Sequence, residues 1–325
     1  MNSTICAACG SSRFDVRGAF DVRAQNKLYA ADDLKVRAAL DAAAAESALH
    51  YQMLRCRVCG LEFCEPFKAP PATWYRLAYR ALDLHSEDRW EYGEVLRQIP
   101  KDSQVFELGC GSGNFLLRCQ EHGVAASGID FSEDGIAKCL ARGLKATHTS
   151  VYEIATATNT DRVSQIVSFQ FLEHLDRPMI LFQCAAAKAR PGAHLWVSVP
   201  SDNRPAPQFG FKEFLNEPPH HLTEWTPEAF RQMGMRVGWR LIELIYEPAK
   251  IRTSLWWITV HLPIYLRLQE AGWMESRLTH RSFCLVALPV TLLQWLRWRR
   301  KLSGYAMLAH FIFEGQLIAQ PPVPR

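Results

Sequence analysis

The stretch Val105-Phe-Glu-Leu-Gly-Cys-Gly-Ser-Gly-Asn-Phe-Leu116 constrains the fold more than any other part of this 325-residue chain. It reads as a buried strand, a turn with glycines at 109, 111 and 113, and the start of a helix. Glycine lets the backbone approach a ligand with no Cβ in the way, and the helix start beyond it offers free N–H groups. A second strand, Ala125 to Asp130, ends in an acid 21 residues after Gly109. A carboxylate there can accept hydrogen bonds from both hydroxyls of a ribose. The pattern implies a doubly wound α/β domain with a nucleoside-type cofactor.

The turn narrows the cofactor. A dinucleotide site carries GxGxxG, whereas Gly109-Cys-Gly111-Ser-Gly113 is GxGxG, and Glu107 at the strand end suits the ammonium of a methionine moiety. With these residues the chain resembles the class I S-adenosylmethionine-dependent methyltransferases, from about residue 85 to residue 247. Phe131-Ser-Glu-Asp resembles the family's stretch after the ribose acid, Phe169-Gln-Phe-Leu-Glu-His-Leu175 its strand-four exit, and Arg190-Pro-Gly192 its turn into strand five. The resemblance implies a seven-stranded sheet of order 3-2-1-4-5-7-6 and a cofactor site of Glu107, Gly109, Cys110, Gly111, Gly113, Asp130 and Phe131. Ser150-Val151 stands where the family has an acid near the adenine, so Ser150 or a backbone carbonyl is expected to hold the adenine amino group.

Sulfonium activation makes the methyl group electrophilic, so the protein must align an in-line displacement and remove a proton from a hydroxyl acceptor. Relatives that methylate quinone-precursor hydroxyls use Glu-x-x-Glu-His at the strand-four exit. Here the segment is Gln170-x-x-Glu173-His174, and the missing carboxylate weakens the case for a catalytic divalent metal. Glu173 and His174 are candidates either for framing the cofactor or for catalysis. The loop after strand five, Asn216 to Glu228, offers His220 or His221 as general base with Glu224 to orient it. Thr226-Pro227 should then cap and start a helix.

Four cysteines form two knuckles, Cys6-Ala-Ala-Cys9-Gly10 and Cys56-Arg-Val-Cys59-Gly60. Each turn places two thiolates together, and two such turns make a tetrahedral, closed and therefore structural zinc site. Cys64 is a nearby spare. The 46 residues between Cys9 and Cys56 form an elaborated loop in which Ala31 to Leu49 reads as a helix. The other five cysteines sit in apolar or helical contexts and should pack as small hydrophobes.

Ribbon, core and Pro-His-His loop together look like bacterial enzymes that methylate sugars, glycans or other small molecules. The nucleotide-sugar C-methyltransferases also carry an N-terminal zinc ribbon, but they continue into a further α/β domain, so O-methylation is expected ahead of C-methylation. A zinc-ribbon ribosomal RNA methyltransferase is the competitor among nucleic-acid enzymes. Against it, Ser168-Phe-Gln-Phe171 is not the Asn/Asp-Pro-Pro-aromatic motif of base amino methylation, and Arg13, Arg17, Arg23 and Lys27 are interspersed with Asp15 and Asp21. A non-catalytic scaffold does not need the intact turn.

The expected organisation is a zinc ribbon over 1–69, a methyltransferase core over 70–250, a helical insertion over 251–303, and the last core strand with the tail over 304–325. Thr73 to Leu84 and Glu87 to Ile99 read as helices ahead of the core. Arg240 to Glu247 and Tyr305 to Phe313 read as the last strand pair. The insertion holds two uncharged apolar segments, Thr253 to Leu266 and Ser282 to Leu296. The net charge is +4, but residues 251–325 carry nine Lys/Arg against three Asp/Glu and five of the ten Trp. Indoles beside Arg297-Trp-Arg-Arg-Lys301 suit a membrane interface, and a lid over the acceptor pocket or a homodimer contact are the other readings; lid and membrane contact coexist if the acceptor is lipid-linked. No uncharged apolar run reaches the roughly 20 residues of a spanning helix, and the N-terminal residues lack a signal-peptide pattern. The expectation is a cytoplasmic protein, peripheral at most to the inner face of the membrane.

Overall fold

A computed structural model describes residues 4–30, 32–82, 89–156, 162–208, 213–260, 262–271, 273, 277–299 and 301–315. Eleven strands lie among them: β1 (Phe14–Asp21), β2 (His50–Cys56), β3 (Glu62–Glu65), β4 (Gln104–Leu108), β5 (Ala125–Asp130), β6 (Ala146–His148), β7 (Val163–Phe169), β8 (Ala189–Pro200), β9 (Thr223–Glu224), β10 (Trp239–Pro248) and β11 (Ser303–Phe313). The chain divides into two compact units. One comprises Met1–Pro200, Phe214–Ile245 and Leu308–Arg325; the other comprises Ser201–Glu213 and Tyr246–Met307.

β4 is buried from Val105 to Leu108, as a central parallel strand covered on both faces must be. It lies between β5 and β7, with Glu107 opposite Gly128 on one side and Val167 on the other. The seven-stranded mixed sheet runs β6-β5-β4-β7-β8-β11-β10. These labels differ from the expected string because three strands precede the sheet and β9 belongs elsewhere; counted within the sheet alone, the order is 3-2-1-4-5-7-6. Against one face pack the helices Trp90–Gln98 and Asn114–Glu121, through Tyr92, Val95, Phe115 and Cys119. The first of these helices was expected from Glu87, which lies outside the described residues, as do Asp83 and Leu84 of the preceding one, seen here as Ala72–Leu82. Arg190-Pro-Gly192 falls inside the first residues of β8, with Gly192 at φ 74°.

The N-terminal segment is more ordered than an elaborated loop. β1, β2 and β3 pair antiparallel, and β9 joins the edge of β3. The helix expected over Ala31 to Leu49 is present as Leu34–Ala45, and a further one, Val22–Tyr29, precedes it. Asp21 and Asp33 cap them, each accepting two backbone N–H bonds, and Ala31 lies outside the described residues. Both helices pack with Ala72–Leu82 around Trp74, Tyr29, Leu40 and Leu222. The buried Trp74 indole donates to Asn26 Oδ1 at 3.0 Å, and Asn26 Nδ2 donates to Asp41 at 2.7 Å, so the indole and the amide of this second core are paired. Cys64 lies in the same core with its Sγ toward the Pro66 carbonyl, so it is no spare metal ligand.

In the second unit the apolar segment expected over Thr253 to Leu266 is two helices, Ile251–Val260 and Pro263–Glu270. Leu262 takes the extended conformation that a following proline imposes, and His261 lies outside the described residues. The helix Arg277–Trp298 packs against Ile251–Val260 but leaves Leu285, Val286 and Leu293 exposed. A buried Arg204 pairs with Glu213 at 2.6 Å, and Glu247 accepts the backbone N–H groups of Tyr305 and Ala306. Among the described residues no helix is long and apolar enough to cross a membrane.

Candidate functional site

A cavity of about 980 Å³ opens at the C-terminal ends of β4, β5 and β7. One end is the glycine turn. Gly109 has φ +77°, and a Cβ there would lie 2.6 Å from the Phe171 ring; at Gly113, with φ +80°, it would lie 2.7 Å from Cys139 Sγ and Leu144. No side chain but hydrogen fits at either position. Gly111, between them, has nothing within 4 Å of its Cβ direction and borders the cavity.

Asp130 holds this turn. Its Oδ2 accepts from the Gly111 N–H at 2.8 Å and its Oδ1 from the Ser132 N–H at 2.7 Å, which aims the carboxylate into the cavity with one lone pair still open on each oxygen. Glu107, Cys110, Phe131, Ser150 and Val151 border the same space, so the structure brings all nine residues expected at the cofactor together apart from Gly113, whose role is to let the turn close. Ser150 is already engaged. Its hydroxyl accepts from the Glu153 N–H while the Glu153 carboxylate accepts from the Ser150 N–H, a capping box for the helix Val151–Thr156. That favours the backbone over the hydroxyl for any adenine contact.

Glu107 is 3% exposed, and its Oε2 has no hydrogen-bond partner in the protein. Burial pushes its carboxyl well above the ordinary range. Glu91 and Glu173 are buried and raised by the same cause, Glu173 to about 8, and the Arg89 guanidinium counters the shift in all three. Arg89 also borders the cavity. Arg89 and Glu91 were missed in the sequence because they lie ahead of the glycine turn, where no spacing rule ties them to it. Gln170 is explained by Glu91. It sits at φ +49° at the exit of β7, and its amide donates to Glu91 Oε1 at 3.3 Å, as does the Ser198 hydroxyl at 3.1 Å. A carboxylate at 170 would face that of Glu91, and like charges at this depth repel.

Tyr75, Tyr79, Phe171 and His174 also line the cavity, with Arg76 and Arg80 nearby. His220 and His221 do not border the cavity. They are 5% and 6% exposed and stand behind His174, whose Nδ1–H donates to the His220 carbonyl at 2.8 Å. Tyr75 donates to the same carbonyl. Burial drives His174 down to about 4 and His220 well below its ordinary value, so both rings are neutral. Glu224 lies in β9 opposite Glu62, and the Glu173 carboxylate is 3.9 Å from His221 Nε2. The histidine pair thus belongs to a cluster whose cavity face is His174.

The cysteine knuckles converge as their spacing implies. Gly10 and Gly60 take φ +77° and +76°, and in each knuckle this glycine donates its N–H to the first cysteine's carbonyl. Sγ atoms of Cys6 and Cys59, and of Cys9 and Cys56, lie 3.5 Å apart, and all four fall within 4.8 Å. Tetrahedral zinc–sulfur bonds of about 2.3 Å require sulfurs roughly 3.8 Å apart, which these four can meet.

Residues 84–244 match a family model described as a methyltransferase domain. The match spans just under half of the chain. The expectation of a class I methyltransferase fold holds, and a crystal structure of a SAM dependent methyltransferase from Archaeoglobus fulgidus agrees with it. That protein is 18% identical, with a TM-score of 0.50 over 74% of this chain and 99% of its own. Among curated proteins, a ubiquinone biosynthesis O-methyltransferase of Vibrio parahaemolyticus is 24% identical over 144 residues, 42% of this chain and 61% of the relative. One from Serratia proteamaculans is 22% identical over 147 residues, 43% of this chain and 61% of the relative. The chain therefore spans about three fifths of the length of these relatives.

The buried Glu107 carboxylate in the methyltransferase domain has a measurable consequence. Its pKa is raised by folding, so at pH above the unfolded value near 4.5 its ionisation favours the unfolded chain. Glu107→Gln should raise the melting temperature of the ligand-free protein at pH 7, and the gain should vanish below about pH 4, where the carboxyl is protonated in both states. Differential scanning calorimetry across that range checks it; an equal or lower melting temperature at pH 7 contradicts it.

Proposed function

We propose that this chain transfers a methyl group from S-adenosylmethionine to a hydroxyl oxygen of a small-molecule, sugar or glycan acceptor. The observation that carries the reading is Glu107 Oε2, a buried and unpartnered acceptor beside the glycine turn, with Arg89 on the same cavity wall. An ammonium and a carboxylate, the two charges of a methionine moiety, suit that pair, and the Asp130 carboxylate suits a ribose diol. Oxygen is favoured as the acceptor atom because the curated relatives are O-methyltransferases by name. The aromatic wall of Tyr75, Tyr79 and Phe171 suits a sugar or aromatic ring. The hydroxyl proton goes to the histidine cluster, which His174 presents to the cavity; a positioned base is worth roughly 10² to 10⁴ in rate. Arg76 and Arg80 at the same wall would suit the phosphates of a nucleotide sugar, the specific observation in favour of C-methyl transfer as the second reading.

Tritiated methyl from S-adenosylmethionine should appear in the small-molecule or glycan fraction of a cell extract and not in RNA. Asp130→Ala should weaken cofactor binding by about 2 kcal/mol through two lost charge-assisted hydrogen bonds, read by calorimetry. His174→Gln should lower kcat by about 10² with cofactor affinity retained. Label in RNA would overturn the acceptor class, and unchanged kcat would remove the proton role.

The four-cysteine cluster is proposed to hold a structural zinc ion. It lies away from the cavity residues, yet Thr226 ties it to the methyltransferase domain by donating to the Cys59 carbonyl at 2.6 Å while capping the helix Pro227–Met235. Metal analysis of the purified protein should find thiolate-bound zinc. Cys59→Ser should release it and destabilise residues 1–65, with S-adenosylmethionine affinity changed less than about twofold.

For the second unit we propose contact with an anionic membrane surface on the cytoplasmic side. Leu285, Val286 and Leu293 are 73%, 81% and 69% exposed on the helix Arg277–Trp298. At its end Arg299 lies over the Trp295 ring and Lys301 over Trp298; Arg300 lies outside the described residues. Each basic residue near a charged bilayer contributes about 1 kcal/mol. Flotation with vesicles should require anionic lipid and weaken with salt, and Arg299→Glu with Lys301→Glu should abolish it. A protein that stays soluble at low salt and elutes as a dimer would replace the membrane by a second copy of the chain.

A further inference from the structure

Three imidazoles meet behind the aromatic wall of the cavity. His174 comes from the turn that follows β7, and His220 and His221 come from the turn that precedes β9. Their ring centroids lie 5.0, 4.7 and 4.8 Å apart, and one nitrogen from each ring falls within 4.8 Å of the other two. Backbone bonds lock this geometry. The Leu222 N–H donates to the Glu173 carbonyl at 2.8 Å and the Cys64 N–H to the Leu222 carbonyl at 3.0 Å, so the histidine turn is fixed to both sheets.

The polar groups here are poorly matched to one another. Neither nitrogen of His220 makes a hydrogen bond of good geometry, although the residue is 5% exposed and the Leu215 backbone lies near its ring. Neither oxygen of the fully buried Glu173 has one, and its Oε1 is 3.9 Å from His221 Nε2. Buried polar atoms are nearly always paired, and several orphans in one place call for a common partner. His174 supplies the direction. Because its Nδ1–H donates to the His220 carbonyl, its Nε2 keeps a lone pair, and a backbone acceptor on the far nitrogen is how metal-binding histidines are oriented.

We propose that His174, His220 and His221, with the Glu173 carboxylate beside them, form a binding site for a divalent first-row transition metal of the zinc or ferrous type. Three imidazoles and a carboxylate are donors that such cations prefer over magnesium or calcium. Metal–nitrogen bonds of about 2.1 Å need the rings to draw together by roughly 1 Å, within the reach of side-chain rotation. Gln170 takes no part, since its amide is turned to Glu91 and Ser198. The site therefore differs from a carboxylate-led motif at the strand exit: two of its ligands come from the loop after β8. Its relevance to methyl transfer rests on the proposed function, in which a metal held by His174 Nε2 would take the place of that nitrogen as proton acceptor and act as a Lewis acid instead; the binding itself does not rest on it.

The test uses metal-depleted full-length protein titrated with Co²⁺ alone, without cofactor or acceptor. A second equivalent should bind beyond any that shows the intense near-ultraviolet thiolate band of the cysteine cluster. It should give only weak visible bands, with exchangeable, hyperfine-shifted imidazole N–H signals in the proton NMR spectrum. His220→Gln and His221→Gln should each lower its affinity at least about tenfold while the thiolate-bound equivalent is kept, with folding checked by circular dichroism. Absence of a thiolate-free equivalent in the wild type, absence of imidazole signals from it, or unchanged affinity in folded variants overturns the proposal. The wild-type spectrum decides the matter if a variant does not fold. A negative result leaves the methyl-transfer reading standing, because no turnover is measured.

Discussion

The close approach of the β4 and β7 exits governs the site. The Phe171 ring occupies the space that a Cβ at position 109 would need, so the two strand ends meet with only hydrogen between them. That contact is possible because residue 109 is glycine in a left-handed conformation, and it brings the turn to the edge of the cavity, with the Gly109 and Cys110 N–H groups donating to the Ile129 carbonyl. The Asp130 carboxylate locks the turn from the neighbouring strand through Gly111. Parallel pairing of β4 with β5, Glu107 opposite Gly128, sets Asp130 two residues beyond that level. The cofactor end is thus a product of sheet register as much as of glycine content.

Burying charge is the second constraint. Glu91, Glu107 and Glu173 all lie out of water around the cavity, and all three carboxyls are raised by burial against the opposing pull of Arg89. Glu91 is stabilised by the Ser198 hydroxyl and the Gln170 amide, whereas Glu107 and Glu173 keep unpartnered oxygens. Structural ion pairs in proteins are normally fully satisfied; carboxylates left half-satisfied beside a cavity are a mark of sites that complete themselves with a ligand. This difference separates Glu91, a supporting group, from the two acids that point to function.

The N-terminal segment is tied to the rest of its unit at three levels. β9 extends its sheet from the loop after β8, Thr226 joins a helix cap to the second knuckle, and the helices between the knuckles share a core with Ala72–Leu82. That last helix supplies Tyr75 and Tyr79 to the cavity, so the helices between the knuckles back the cavity's aromatic wall. Folding of the cysteine knuckles and shape of that wall are physically linked, although the cluster itself lies elsewhere.

The sequence by itself determined the features whose chemistry is local. The GxGxG turn, Asp130 at the next strand end, the two CxxCG knuckles and the Thr226-Pro227 helix start all act over a few residues, where backbone conformation and residue type leave little choice. The sheet order followed from the family resemblance carried by the same motifs. What only the tertiary structure decided depends on residues far apart in the chain. β1 was illegible because its largely exposed face shows no alternation, and the short helix Val22–Tyr29 lies ahead of the one helix that was legible between the knuckles. Glu91 joins the site through Gln170 and Ser198 at the ends of β7 and β8, and Glu173 comes beside His221 from the β7 exit while β9 carries Glu224 in the other sheet. His220 and His221 were visible as a pair, but whether they faced the cavity or stood behind His174 was set by the burial of their turn against a second hydrophobic core, a free-energy balance over many contacts that no spacing of residues encodes.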